Sequence, residues 1–381
     1  MTAVAAPKIL CVVGARPNFM KIAPIMAALT CAPLYARLVH TGQHYDVAMN
    51  ERFFEQLGIP NPDINLEVGS ASHAVQTAEV MRRFEPVLEV EKPAAVLVVG
   101  DVNSTLACAL VAAKKDVAVI HVEAGLRSFD RSMPEEINRV LTDQLSELLF
   151  TTERHALDNL VREGIDPAKV HFVGNVMIDT LLLSLKQAVP TEQTLTAVAA
   201  PAVFLQQSYG VLTLHRPANV DNPLVLERIL RTLKELSAAL PLVFPMHPRT
   251  TAALRNAGLA GLLDSPRLLC LPPLGYLEML GLMAKARLVL TDSGGVQEET
   301  TALGVPCITL RENTERPVTV EQGTNTLVGS DPERIRRAVQ DVFATRGKAG
   351  KVPELWDGHA AQRIAAVIAA WAQQTPLIPH V

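Results

Sequence analysis

The chain has 381 residues, a formal net charge of −4 and hydrophobic residues at 49%. At a prior of ~150 residues per domain this predicts two domains with filled cores, and too little charge for extended disorder. No basic stripe stands out, which argues against a nucleic-acid partner, and the apolar runs end after about seven residues where a membrane span needs ~20. The N-terminus lacks a basic lead before its apolar stretch, and Lys8 interrupts it, so neither a secretory signal nor a membrane partner is expected. Cys11, Cys31, Cys108, Cys270 and Cys307 stand singly, which speaks against a disulfide framework and a zinc site. A cytoplasmic protein is expected.

Short apolar runs alternate with helical patterns almost from end to end. Lys8–Val13 predicts a strand and 19–30 a helix; 38–40 predicts a second strand, and 46–57 carries helical spacing through Met49, Phe53, Phe54 and Leu57. Helix 74–89 precedes the clearest strand, 94–99. Helix 104–113, strand 117–121, helix 135–146, strand Leu148–Thr151, helix 155–163 and strand 170–173 follow. The stretch 186–208, with Pro190 and Pro201, breaks the rhythm and reads as a connection with some helix. A second series then begins, with strands at 209–214, 242–246, Leu268–Leu271, Leu288–Thr291 and 307–310. Strands that are apolar throughout, separated by crossover helices, indicate parallel sheets covered on both faces. The expected fold is α/β: two doubly wound, Rossmann-like domains, 1–185 and 186–359, facing a central cleft. The last segment, 360–381, with its helix at 360–372, is expected to dock back on the first domain.

In such sheets ligands bind beyond the carboxyl ends of strands. Arg16, Gln43, His44, Asp101 and Glu123 stand there in the first half; His215, His247 and Asp292-Ser293-Gly294-Gly295 stand there in the second. The whole set points to a composite active site drawn from both domains.

The turn Gly14-Ala15-Arg16-Pro17-Asn18 has one glycine and so lacks the G-x-G-x-x-G of a dinucleotide site, which disfavours nicotinamide chemistry. Arg16, with Lys21 beyond it, could neutralise a phosphate, or be a solvated basic pair. Thr291-Asp292-Ser293-Gly294-Gly295 follows a strand and opens a helix, where two glycines let backbone N–H groups approach an anion. The bland alternative is an ordinary cap. Glu299, on the first turns, could hold ribose hydroxyls. Asp101, Glu123, Glu135 and Glu136 bring carboxylates suited to general acid/base work, with His215 in the other domain. His247 reads as ordering its own loop. Glu312, Glu315 and Arg316 lie in a polar loop after the last strong strand, where Arg316 could reach a phosphate or form a surface ion pair. No Asp-x-Asp occurs, so no ligand set for a metal-bound diphosphate is visible, and no metal or other cofactor is expected.

The segments GARPNFMKIAP, TGQHYD, VVGDVNST, HVEAGLRS, MPEEINR, LTLHRPANVD, LTDSGGVQEE, NTERP and GTNTLVG run in order from residue 14 to 329. Together they resemble the bacterial and archaeal non-hydrolysing UDP-N-acetylglucosamine 2-epimerases. The resemblance implies the GT-B-type pairing of Rossmann-like domains, with the second binding UDP. It also implies a role in cell-surface polysaccharide biosynthesis and a homodimer. Arg16, Lys21, His215, Ser293, Gly294, Gly295, Glu299 and Arg316 fall on UDP-binding positions. Asp101, Glu123 and Glu135 fall on the carboxylates of catalysis, with His215 beside the phosphates and Pro273, Leu274 and Met279 near the uracil. Three positions, in two motifs, depart from the family. Ala218 replaces a glutamate common before the asparagine, and Tyr45-Asp46 replaces the Arg-Glu of members activated by a second UDP-GlcNAc, so that regulation is not expected.

The reaction implied is inversion at C2 of UDP-GlcNAc, giving UDP-ManNAc through elimination of UDP to a 2-acetamidoglucal and re-addition. A related UDP-2-acetamido sugar, including a uronate derivative, is the nearest alternative. A glycosyltransferase of the same architecture, a non-catalytic nucleotide-sugar-binding regulator and a hydrolysing epimerase are further rivals.

Overall fold

A computed structural model describes residues 6–43 and 58–374, so the expected helix at 46–57 lies outside the described residues, as do His44, Tyr45 and Asp46. The chain divides into two compact units, one running to Leu182 and resuming at Glu354, the other Leu183–Pro353.

The first unit is built on seven strands: β1 (Lys8–Val13), β2 (Tyr35–His40), β3 (Ile64–Asn65), β4 (Ala95–Val99), β5 (Ala118–Val122), β6 (Leu148–Thr151) and β7 (Val170–Phe172). All neighbours pair in parallel, in the order β3-β2-β1-β4-β5-β6-β7. Side chains alternate across each strand, and both faces are apolar. Ile9, Cys11 and Val13 enter a core with Phe19, Ile22 and Ile25 of helix Arg16–Thr30 and with Ile364 and Ile368 of helix Ala360–Gln374. Leu10 and Val12 enter another core, with Val80, Phe84 and Leu88 of helix His73–Glu91. That two-sided burial is why these strands read as continuous apolar runs. The chain winds outward from β1 to β3 and then returns to β4 on β1's other side. The loops after β1 and β4 therefore diverge at a switch point, where such sheets bind ligands.

Helix Pro134–Leu145 inverts the usual pattern. Glu136, Asn138, Arg139, Thr142 and Asp143 are its buried residues, while Ile137 and Leu141 are 42% and 45% exposed. Its inward face is polar where Asn138 and Arg139 meet Asp101 after β4, and where Glu136 and Asp143 meet Ser128 and Gly125 after β5.

The second unit has six parallel strands: β8 (Gly210–Thr213), β9 (Leu242–Pro245), β10 (Leu268–Leu271), β11 (Leu288–Thr291), β12 (Cys307–Thr309) and β13 (Asn325–Leu327). Their order is β10-β9-β8-β11-β12-β13, with the switch between β8 and β11. The stretch 186–208 contains helices Thr191–Ala197 and Val203–Gln206, whose Leu195 and Phe204 enter the core beside Tyr209 and Leu282. Gly281 has to be glycine: a Cβ there would fall on the Val189 carbonyl. The α/β class expected from the sequence is the observed one.

Candidate active site

In the first unit, Asn18 closes the loop after β1. Its Oδ1 accepts the N–H groups of Gly14 (3.3 Å) and Ala15 (3.1 Å), and its Nδ2 donates to the Val99 carbonyl at 3.0 Å. The loop after β1 is thereby tied to the end of β4. Arg16 opens the following helix, and its side chain lies outside the description. One turn on, Lys21 is buried and its ammonium pairs with the Glu123 carboxylate. Glu123, at the end of β5, sits at φ 74°, a left-handed conformation that costs an L-residue ~1–2 kcal/mol. Gly100 sits at φ 66°, and a Cβ there would come 2.9 Å from Lys21 Nζ. Glycine at 100 and lysine at 21 therefore fit each other.

Asp101, next along, pairs with Arg139, whose Nη1 also donates to Glu136 Oε2 at 2.7 Å. Glu136 additionally accepts the Ser128 N–H and hydroxyl, each at 2.9 Å, and the Phe129 N–H at 3.0 Å. Glu136 thus orders the loop before its helix. Glu135, its neighbour, is half-buried in the first turn of the helix, where the dipole favours an anion. Asn138 Nδ2 donates to the Asp101 carbonyl at 2.9 Å. The strand ends of the first unit thus carry two charged sets, the Lys21–Glu123 pair and the Asp101–Arg139–Glu136 network, with Glu135 on the same helix as the latter. Gln43 Oε1 accepts the Ser104 N–H at 3.1 Å and hydroxyl at 2.7 Å.

In the second unit, Asp292 is the anchor after β11. It is fully buried and accepts the backbone N–H groups of His215 and Arg216 (3.0 and 2.9 Å) and Asn219 Nδ2 (3.1 Å). His215 Nδ1 lies 2.9 Å from its other oxygen. Burial alone would raise the Asp292 carboxyl; the His215 ring and the backbone N–H groups outweigh it and hold it below the usual carboxylate range. The Asp292 carboxylate thus fixes the His215 ring. The His247 ring stands 5.6 Å away, and its Nδ1 accepts the Arg249 N–H at 3.2 Å, capping helix Pro248–Asn256. Ala218 is exposed, whereas Asn219 beside it carries the buried contacts.

Ser293 stands at the N-cap position of helix Gly294–Leu303 without a side-chain hydrogen bond to it, and a Cβ at Gly294 would meet Glu315 Oε1 at 2.7 Å. Glu315 draws in three guanidinium groups: Arg311 at 2.7 Å, Arg216 at 3.7 Å, and Arg316 through its charge. Burial would raise the Glu315 carboxyl, but these cations hold it far below the usual range. Arg316 Nε also meets Glu298 Oε1 at 2.8 Å. Arg216 and Arg311 are cations that the motifs do not single out, although Arg216 lies within LTLHRPANVD and Arg311 just before NTERP. Glu299 is buried and accepts the Tyr276 hydroxyl at 3.0 Å; burial first, and the Glu298 charge second, push it up to about 7. Leu274 and Met279 pack against the core near Leu271, while Pro273 is exposed.

The family model described as UDP-N-acetylglucosamine 2-epimerase matches residues 29–369. The chain belongs to that family. A relative named UDP-N-acetylglucosamine 2-epimerase, from Methanococcus maripaludis, is 43% identical over 91% of this chain and 96% of its own length. A Pseudomonas aeruginosa relative, named UDP-2,3-diacetamido-2,3-dideoxy-D-glucuronate 2-epimerase, is 41% identical over 95% of this chain and 99% of its own. The crystal structure of Methanocaldococcus jannaschii UDP-GlcNAc 2-epimerase in complex with UDP-GlcNAc and UDP matches with a TM-score of 0.87. It is 43% identical and covers 95% of this chain and 99% of that one. The epimerase family inferred from the sequence motifs is therefore the right one. Among the described residues no helix is long and apolar enough to cross a membrane.

Proposed function

We propose that the chain interconverts UDP-GlcNAc and UDP-ManNAc by inverting C2. The observation that carries the reading is the two charged sets at the first unit's strand ends, where Asp101 and Glu123 each meet a buried cation and Glu135 heads a helix. The C2 proton of a 2-acetamido sugar is not acidic, so its removal needs a concerted departure. A carboxylate takes that proton while the C1–O bond breaks and UDP leaves, giving a 2-acetamidoglucal. A proton delivered to C2 from the opposite face, with UDP re-adding at C1, completes the inversion. Two faces require two acid/base groups, and Asp101, Glu123 and Glu135 supply them.

The leaving diphosphate is assigned to the helix start at Ser293, Gly294 and Gly295, with Arg316 and His215 supplying N–H donors and positive charge. Glu299 is assigned to the ribose hydroxyls, and Leu274 and Met279 to the side of the uracil. A second reading has a specific observation behind it: the uronate epimerase, at 41%, is nearly as similar to this chain as the 43% identical Methanococcus maripaludis relative named for UDP-N-acetylglucosamine. The reaction class is common to both, and the sugar distinguishes them. Product NMR on UDP-GlcNAc, UDP-ManNAc and the 2,3-diacetamido uronate tests this. Conversion of UDP-GlcNAc to UDP-ManNAc supports the proposal; turnover of the uronate alone would replace the substrate, and release of free sugar would replace the reaction.

A further inference from the structure

His121 is the polar residue of β5, Ala-Val-Ile-His-Val, and none of it reaches solvent. Its register partners are Val98 in β4 and Leu149 in β6, surroundings in which an apolar side chain would pack without a desolvation cost. Both ring nitrogens are engaged. Nε2 lies 2.9 Å from the Gly100 carbonyl, which can only accept, and Nδ1 lies 2.6 Å from Asp143 Oδ1. The other Asp143 oxygen accepts the Gly125 N–H at 3.1 Å and the Arg127 guanidinium at 2.7 Å. Arg127 continues to Glu163 at 2.5 Å. Burial would raise the Asp143 carboxyl, but His121 and Arg127 outweigh it and keep it below the usual range.

These contacts run from one turn to another. Gly100, at φ 66°, delivers Asp101 from β4; Glu123 and Gly125, at 74° and 77°, form the turn that leaves β5. A Cβ at Gly125 would fall 2.6 Å from the Ala156 carbonyl, so that turn is held tightly against its neighbour. On the strand side, the Gly100 N–H donates to the Val122 carbonyl at 3.0 Å. On the helix side, the link is the chain Gly100 carbonyl, His121 ring, Asp143 carboxylate, Gly125 N–H.

We infer that His121 and Asp143 are positioning residues that brace the Asp101 turn against the Glu123 turn and so set the separation of the two carboxylates. The inference rests on the assignment of those carboxylates to proton transfer. Inversion needs proton removal and proton return at opposite faces of one carbon, and a displacement of ~1 Å can cost ~100-fold in rate. A loosened brace therefore leaves elimination partly working while the return of the proton fails, and the glycal escapes.

The test uses Asp143→Asn and His121→Gln in the full chain. Steady-state kinetics, UDP binding and the NMR ratio of released 2-acetamidoglucal to epimer are read for each. The expected result is a fall in kcat of about 10–100-fold, the usual scale for a residue orienting a functional group. KM and UDP affinity stay within about twofold, and the share of released glycal rises several-fold. Asp143→Asn placed in an Asp101→Asn background should cost little more, because coupled positions are non-additive. Where Asp143→Asn fails to fold, His121→Gln, whose amide still reaches one partner, carries the same readouts. Unchanged kcat, or a loss with unchanged partition that adds in full to that of Asp101→Asn, overturns the inference. Near-normal turnover in Asp101→Asn alone would instead remove the assignment beneath the brace, and the brace with it.

Discussion

The Lys21 ammonium and the Glu123 carboxylate form an ion pair in which the side chains are only 7% and 3% exposed. Removing one partner of a buried ion pair costs ~3–5 kcal/mol, whereas replacing both with neutral groups costs far less. Lys21→Met should therefore destabilise the protein strongly, and Lys21→Met combined with Glu123→Gln should recover much of the loss. Urea denaturation of the wild type and the two variants checks this; equal stabilities would show that the pair is not desolvated in solution.

Turnover should depend on the same carboxylates. Glu123→Gln and Asp101→Asn should each lower kcat by ~100–10,000-fold, the scale of general acid/base groups. UDP affinity should change little, since neither is assigned to the nucleotide. Calorimetric titration with UDP beside steady-state rates separates the two effects, and a variant with near-normal kcat leaves the mechanism.

Glu299 supplies a pH dependence with a definite sign. Its folded pKa is raised to about 7, chiefly by burial, so the folded state keeps a proton that the unfolded chain loses in the ordinary carboxylate range. The stabilising contribution of the neutral form is full below that range and is lost as pH rises through about 7. Without nucleotide, the wild-type Tm should fall relative to that of Glu299→Gln between about pH 5 and about pH 8. Parallel Tm curves for the two proteins would contradict this.

The strands were legible because both faces of each sheet are buried. The run expected at 94–99 is β4, Ala95–Val99, with every residue buried. The short edge strands β3 and β13, of two and three residues, carry too little periodicity to be seen. The strand-end residues were legible for a topological reason, since the parallel order places them at two switch points. Their supports were not. Arg139 and Asp143 lie on a helix whose buried face is polar and whose outer face bears Ile137 and Leu141, so amphipathicity points the wrong way. A histidine inside the apolar run of β5 was the available signal for His121. Asp292 was visible as a strand end, but its service to three donors and the His215 ring is a through-space arrangement that no sequence spacing encodes.

Regulation follows from Tyr45, which, like Asp46, lies outside the described residues. A tyrosine at 45 in place of arginine removes a positive charge and a bidentate phosphate partner that an activating second diphosphate would need, while aspartate at 46 in place of glutamate leaves the charge there unchanged. UDP-ManNAc alone should therefore be turned over without added UDP-GlcNAc and with a Hill coefficient near one. A lag relieved by trace UDP-GlcNAc would show that a second site operates despite Tyr45.

The most direct test of C2 inversion by elimination is incubation with UDP-GlcNAc in deuterium oxide, without an acceptor, followed by proton NMR. The account predicts that UDP-ManNAc appears, and that deuterium enters C2 of both epimers as equilibrium is approached. Epimerisation with the C2 proton retained, or no exchange at C2 while the protein binds UDP tightly, would contradict it.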